Sequence, residues 1–110
     1  MSIQHHVLTL SGAAERLSDL LADPAVGGRD DLPLRTISLQ PRGANANPIY
    51  LGATNVVSAT DYGVRLEPGA TGVPPAPFIL GEHEAGPLRL SNFYVIGTAT
   101  QHLHILTVPF

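Results

Sequence analysis

Histidine is the residue type in this chain best suited to chemistry, and four of its five histidines occur in pairs. His102 and His104 are two residues apart, so on a strand they share one face at a spacing of about 7 Å. Two imidazoles on one face can supply two ligands to a metal ion, and a metal site needs a third and usually a fourth. The side chains that could complete it are His5, His6, Glu82, His83 and Glu84.

The surroundings of this histidine pair argue against a metal site. Cupin-type metal barrels use a similar His-x-His, but they follow it closely with a glutamate and then a glycine. Neither occurs in residues 105–110. The adjacent His5 and His6 would point to opposite faces of a strand. We therefore interpret the histidines as surface or interface residues, with metal binding by His102 and His104 as the alternative, and predict no cofactor.

Other arrangements that could do chemistry are weak. A histidine flanked by carboxylates, as in residues 82–84, can act as a general acid or base. Gly81 and Gly86 bracket this segment and predict an exposed turn, where the pKa values shift little. No serine lies in a Gly-x-Ser-x-Gly context, and no phosphate-binding glycine loop occurs. We predict that the protein is not an enzyme.

One further segment could contact a sugar. In Asp61-Tyr62-Gly63, a tyrosine ring that can stack on a sugar is next to a carboxylate that can accept its hydrogen bonds. The favoured interpretation is a turn that leads into a strand.

Composition limits the classes of partner. The 110 residues suffice for one domain, and 14% of them are charged, below the roughly 25% of an average domain. The net charge is -3, and the six basic residues, all arginine, form no cluster, so nucleic-acid binding is not expected. The absence of cysteine excludes disulfides and thiol chemistry. We expect neither a signal peptide nor a membrane span, because no apolar run approaches 18 residues.

The elements that would position these residues are mostly short strands. Apolar residues at three- and four-residue spacing predict one helix over 11–23, with Ser11 as its N-cap. Alternating or β-branched runs predict strands at 3–10, 34–40, 49–51, 64–66, 78–80, 88–90, 93–98 and 102–108, the last two joined as a hairpin. The pattern predicts a mainly β fold, a small antiparallel β-sandwich or barrel with one short N-terminal helix.

The predicted organisation is an N-terminal arm of strand and helix at 1–33 and a β-sandwich domain at 34–110. Within the domain, Ile49, Leu51, Val64 and Leu66 are expected to face inward, which leaves the loop at 53–62 free for a partner. The proline-rich run at 73–77 is expected to be extended. It is either a peptide-like ligand for an aromatic groove or, more simply, a rigid arm that lies along a neighbouring subunit. The predicted partner-contact residues are Asn55, Val56, Val57, Asp61, Tyr62, Val73, Pro74, Pro75 and Pro77.

Several of these pieces together resemble small virion proteins of tailed bacteriophages, of the capsid decoration (cement) or head-fibre kind. The resemblance covers roughly residues 34–110. The segments that carry it are Leu34–Gln40, Pro48–Gly52, Val57–Leu66, Leu90–Thr98 and His104–Pro109. In such proteins a Val commonly stands where this chain has Leu51 before Gly52, which is a conservative difference.

The resemblance implies a structural role. A decoration protein made in the host cytoplasm binds the assembled major capsid protein on the exterior of the virion and stabilises the head. It is often a homo-oligomer, with a trimer favoured. The alternative is a tail or head-fibre module that binds a glycan or receptor on the host surface. In both cases we expect no nucleic-acid and no membrane partner, as the charge and the apolar runs of the chain indicate.

Overall fold

The structure, a computed structural model, describes residues 3–22, 33–42, 47–69, 75–81 and 88–109. These residues form eight strands, one α-helix and one turn of 3₁₀ helix. The strands are β1 (Gln4–Thr9), β2 (Glu15–Arg16), β3 (Leu34–Pro41), β4 (Ile49–Gly52), β5 (Val64–Leu66), β6 (Phe78–Gly81), β7 (Tyr94–Ile96) and β8 (His102–Pro109). The helix α1 is Leu17–Ala22, and the 3₁₀ turn is Leu90–Asn92.

The strands form two antiparallel sheets of four strands each. Sheet A has the order β1-β8-β3-β6, and sheet B has the order β2-β7-β4-β5. Each sheet is open at its edges, so the two do not close into a barrel. The prediction of a mainly β antiparallel fold with one short helix is confirmed.

The core lies between the sheets and contains aliphatic side chains from both. Sheet A contributes Leu8, Leu103 and Ile105, among others, and sheet B contributes Ile49 and Val95. All of these are at most 2% exposed. Alternate residues of each strand point inward because the side-chain period of a strand is two. Of the four residues expected inward around the 53–62 loop, three are buried and Val64 is partly buried against them.

The N-terminal segment is part of both sheets. β1 pairs with β8 along its whole length, and β2 pairs with β7. The helix α1 buries Leu17 and Leu21 in the common core. The strand and helix predicted for an arm are therefore packed into the sandwich, while the division of the chain at residue 33 stays a prediction.

The helix predicted over 11–23 is half as long in the structure. Gly12 has a φ of 95°, which a right-handed helix does not allow. Ser11 does not cap the helix; its hydroxyl and its N–H donate to the Glu15 carboxylate at 2.7 and 3.1 Å. Glu15 and Arg16 pair with β7 instead. The tertiary pairing thus overrides the helical spacing of residues 11–16.

The predicted hairpin of the last two strands is wrong. β7 belongs to sheet B and β8 to sheet A, so the turn at residues 98–101 crosses from one sheet to the other. Buried Gln101 holds this turn, because its side chain accepts from the Thr98 N–H at 2.8 Å and donates to the Asn47 carbonyl at 2.7 Å. The strand predicted at 88–90 is also wrong: Leu88 makes a single bridge to Leu34, and Leu90 begins the 3₁₀ turn.

Candidate contact surfaces

The outer side of sheet A carries most of the histidines. On paired antiparallel strands, residues that lie directly opposite each other point to the same face. His104 lies opposite Val7 on one side and Gln40 on the other, and Leu106 lies opposite His5. We name this surface the histidine face; its members are His5, Val7, Thr9, Ser38, Gln40, Ile79, His102, His104 and Leu106.

Exposed aliphatic side chains distinguish the histidine face. Ile79 is 62% exposed, and Val7 and Leu106 are each 39% exposed. No member of the face is an aspartate, glutamate, lysine or arginine. At its border Arg42 donates from Nε to His104 Nε2 at 3.5 Å. The face therefore offers aliphatic contact area and neutral hydrogen-bonding groups on the surface of a sheet.

The histidines of this face interact with their neighbours. The pKa of His104 is lowered from its ordinary value, chiefly by burial and then by the charges of Arg42 and His102. The Thr9 hydroxyl lies 3.2 Å from His102 Nδ1. Among the described residues no three His, Asp or Glu side chains are grouped closely enough to hold a metal ion. Glu82, His83 and Glu84 lie outside the described residues, and the absence of a metal stays a prediction.

The outer side of sheet B gathers all three tyrosines of the chain. Tyr94 lies opposite Arg16, and Tyr50 lies opposite both Ile96 and Arg65. Tyr62, from the 53–62 loop, places its ring 4.9 Å from that of Tyr50. We name this surface the tyrosine face; its members are Arg16, Tyr50, Tyr62, Arg65, Tyr94 and Ile96.

The polar groups of the tyrosine face bond to one another. Arg16 donates from Nε to the Tyr94 hydroxyl at 3.0 Å and lies 5.2 Å from the centre of its ring. Arg65 forms an ion pair with Glu67 and lies 6.0 Å from the centre of the Tyr50 ring. An arginine placed over an aromatic ring in this way contributes about 0.5–1 kcal/mol of stability at an exposed site. The arginines and the Tyr94 hydroxyl of this face thus already have partners within the chain.

A groove of about 410 Å³ adjoins the tyrosine face. It is lined by Gly12, Tyr50, Ala59, Ile96, Gly97, Thr98 and Ala99. Among these described residues the Tyr50 phenol is the only ionisable group, so the groove offers an aromatic ring and a shape but no acid–base pair.

The predicted contacts in the 53–62 loop are divided by burial. Asn55, Val56, Asp61 and Tyr62 are exposed, Val56 by 64% and Tyr62 by 44%. Val57 is only 4% exposed, and its side chain occupies the space that a Cβ on Gly52 would need. Its predicted role as a contact residue conflicts with this burial. The missing side chain of Gly52 provides the room in which this apolar residue packs.

Two of the predicted proline contacts, Pro75 and Pro77, lie among the described residues. The Pro75 carbonyl accepts a hydrogen bond from Gln40 Nε2 at 2.5 Å, and Pro77 is exposed. Both prolines border a groove of about 330 Å³ beside β5. Val73 and Pro74 lie outside the described residues. Among the predicted contact residues that the structure describes, Pro75 and Pro77 line this groove and those of the 53–62 loop do not.

The sequence interpretation missed the aliphatic residues of the histidine face. A signal for one of them was present, because β8 alternates between polar and apolar residues until Leu106, which occupies a position expected to be polar. Tyr50 and Tyr94 were also missed as partners of Tyr62 and Arg16. Their gathering depends on strand pairing, which local patterns do not show.

Comparison with known proteins adds no assignment. No family model matches the sequence, and neither a curated protein nor a solved structure matches the chain. No helix in the described part of the chain has the length and apolar character needed to cross a membrane. Any assignment of function therefore rests on the two surfaces and on the resemblance of residues 34–110.

Proposed function

We propose that this chain is a structural virion protein that decorates an assembled capsid and stabilises it. The observation that carries the proposal is the histidine face, where the aliphatic side chains of Val7, Ile79 and Leu106 are exposed. Arg42 adds a positive charge beside His104 at the border of this face. Covering such apolar surface gains about 25 cal/mol per Å². A protein partner with an apolar surface of its own would bury it.

The proposed partner is the major capsid protein in its assembled form. A ligand that binds only the assembled lattice stabilises that lattice by mass action. The resemblance implies that the chain lies on the exterior of the capsid, as a homo-oligomer, with a trimer favoured at threefold or quasi-threefold positions. No catalytic step and no cofactor enters this role.

The build of sheet A suits such a contact. Its two central strands, β3 and β8, are eight residues long and pair with each other over most of their length. A surface held by two paired central strands loses little conformational entropy when a partner docks. The histidine face would thus already have its bound conformation before the chain binds a capsid.

The test is binding to capsids assembled from the major capsid protein of the phage whose genome encodes this chain. We expect the wild type to cosediment with these capsids at a saturating copy ratio and to raise the temperature at which they break open. The double variant Ile79→Ser, Leu106→Ser should bind at least ten-fold more weakly. The matched control is Val56→Ser, Tyr62→Ser, which removes two exposed apolar side chains from the loop and should bind like the wild type.

Two outcomes would contradict the proposal. Wild-type protein that stays in the supernatant at every concentration rules out decoration of that capsid. Binding lost in the loop variant but kept in the histidine-face variant would move the contact to the tyrosine face.

A second candidate function is binding of a host-surface glycan by a tail or head-fibre module. The tyrosine face favours it, because Tyr50 lines the groove, the Tyr62 ring packs on that of Tyr50, and Asp61 precedes Tyr62 in sequence. Aromatic rings can stack on sugars. A glycan array would show a signal that Tyr62→Ala removes, whereas a decoration protein should give no signal.

A further inference from the structure

Strand β1 forms one edge of sheet A, and in the described residues only β8 pairs with it. The hydrogen bonds of Leu10, the residue that follows β1, show which backbone groups of the strand point toward β8 and which point away from it. The Leu10 N–H donates to the Gln101 carbonyl, and the Leu10 carbonyl accepts from the Thr100 N–H, both at 2.9 Å. Because successive residues of an antiparallel strand turn their backbone groups to opposite sides, Leu8, His6 and Gln4 also face β8. The outward-facing residues are His5, Val7 and Thr9.

The other side of β8 supports this assignment. The Arg42 N–H donates to the His102 carbonyl at 3.1 Å, so His102 turns its backbone groups toward β3. The residue opposite His102 on β1 is Thr9. In an antiparallel ladder, residues that lie directly opposite each other either exchange hydrogen bonds or both face away. Thr9 therefore faces the free edge, in agreement with the pattern read from Leu10.

The β1 edge lacks the devices that protect the other sheet edges. Exposed edges are commonly blunted by short length, proline or charge. β6 has four residues and follows Pro77, β5 has three residues including Arg65, and β2 has only two, both charged. β1 has six residues, with no proline and no Asp, Glu, Lys or Arg. It is the longest of the four edges described and the least protected.

We propose that β1 pairs with β1 of a second copy of this chain, antiparallel, about a twofold axis at Val7. This register sets Val7 opposite Val7 and His5 opposite Thr9, so all three outward-facing residues exchange backbone hydrogen bonds. A shift of two residues in either direction leaves His5 or Thr9 opposite a residue outside the strand. Both strands keep their inner side chains toward the same side, as a continuous sheet requires.

The pairing suits a second copy because the two strands are identical and uncharged. The exposed Val7 side chains would cover each other, and the histidine faces of both copies would join into one surface of twice the width. The proposal rests on the edge alone and does not depend on capsid binding. A twofold contact is distinct from the contacts of a trimer, and both could occur on one lattice.

The first test is amide hydrogen exchange of the wild type over a concentration series, followed residue by residue by NMR. The amides of Gln4, His6 and Leu8 should be protected at every concentration. Those of His5, Val7 and Thr9 should exchange quickly when dilute and at least ten-fold more slowly when the chain pairs. Fast exchange of these three at all concentrations would overturn the proposal.

The second test is the mass in solution of the wild type and of Val7→Pro. Proline removes the outward N–H of Val7 and leaves the bonds to β8 in place, a position that edge strands tolerate. We expect twice the chain mass of 11.6 kDa for the wild type and a single chain for the variant. The control Ile79→Ser, at the other edge of the same face, should keep the double mass.

The outcomes separate this proposal from the proposed function. A wild type of one or three chain masses, or a Val7→Pro variant that keeps the double mass, would contradict pairing through β1. If Val7→Pro does not fold, Val7→Lys places a charge on the same edge and gives the same test. Capsid binding is measured separately, with capsids, so either proposal can fail while the other stands.

Discussion

The histidine face and the tyrosine face cover opposite sides of the same sandwich and meet their surroundings in different ways. On the tyrosine face, Arg16 bonds to Tyr94 and Tyr62 packs on Tyr50, so these groups contact one another within the chain, while Tyr62 stays 44% exposed. On the histidine face, Ile79 and Leu106 are exposed to solvent. A face whose groups already contact one another gains less from a partner than one with exposed aliphatic groups. We therefore place the proposed contact with a partner protein on the histidine face.

The two sheets also differ in the lengths of their strands. Sheet A is built on two strands of eight residues, whereas the strands of sheet B have two to four. Short strands supply few backbone hydrogen bonds, so side-chain contacts must hold more of sheet B together. We accordingly interpret the contacts of the tyrosine face as ones that stabilise the fold, and the histidine face as a surface open to partners.

The largest effect is expected on the inner side of β8. Leu103 is fully buried, and Leu103→Ala should lower the free energy of unfolding by about 2–5 kcal/mol through lost contacts and a cavity. Leu106→Ala, on the histidine face of the same strand, should change it by no more than about 0.5 kcal/mol. Urea denaturation of both variants measures this. A comparable loss at Leu106 would show that the outer side of β8 is packed within the chain and is not a surface open to a partner.

An intermediate effect is expected under the 53–62 loop. A Cβ on Gly52 would lie 2.8 Å from a methyl group of Val57, so Gly52→Ala should destabilise the protein by about 1–3 kcal/mol and displace the loop. Gly81→Ala is the matched control, because a Cβ there meets nothing within 4 Å. Thermal unfolding gives the stability, and NMR contacts between the Tyr50 and Tyr62 rings report the loop. Undisturbed ring contacts in Gly52→Ala would mean that Val57 does not anchor Tyr62.

The smallest effect concerns pH and the histidine face. Since the folded-state pKa of His104 is lowered, the unfolded chain binds the proton more readily. The contribution of neutral His104 to the free energy of unfolding is therefore complete above its ordinary pKa of about 6.5. It decreases as the pH falls toward the lowered pKa of the folded state. Replacing it in His104→Gln should reduce the loss of unfolding temperature between pH 7.5 and 5.5, by a small amount because His104 is partly exposed.

The control for this pH measurement is Leu106→Ala, which keeps the histidine and should keep the wild-type pH dependence. An unchanged pH dependence in His104→Gln would show that the proton is bound equally well in the folded and unfolded chains. Burial of His104 and the charges of Arg42 and His102 would then have no net effect on its pKa.

Local patterns in the sequence were sufficient for most of the strands and their buried sides, but not for β2 or for residues 88–90. The two-residue alternation placed the strand at 64–66 and turned Ile49, Leu51 and Leu66 inward, and a β-branched and aromatic run placed the strand at 102–108. Of the five loop residues predicted as contacts, four are exposed and Val57 is buried, and their contact role stays a prediction. Alternation succeeds here because it records which side of a strand faces the core, and that is a property of each strand alone.

The tertiary structure alone decided which strands lie side by side. It placed the last two strands in different sheets, drew Glu15 and Arg16 out of the predicted helix, and buried Val57 over Gly52. The histidine face joins His5, Ile79 and Leu106 from three strands far apart in the chain. Such a surface depends on pairing between distant strands, and that pairing is set by how all the apolar sides pack together, which no local pattern contains.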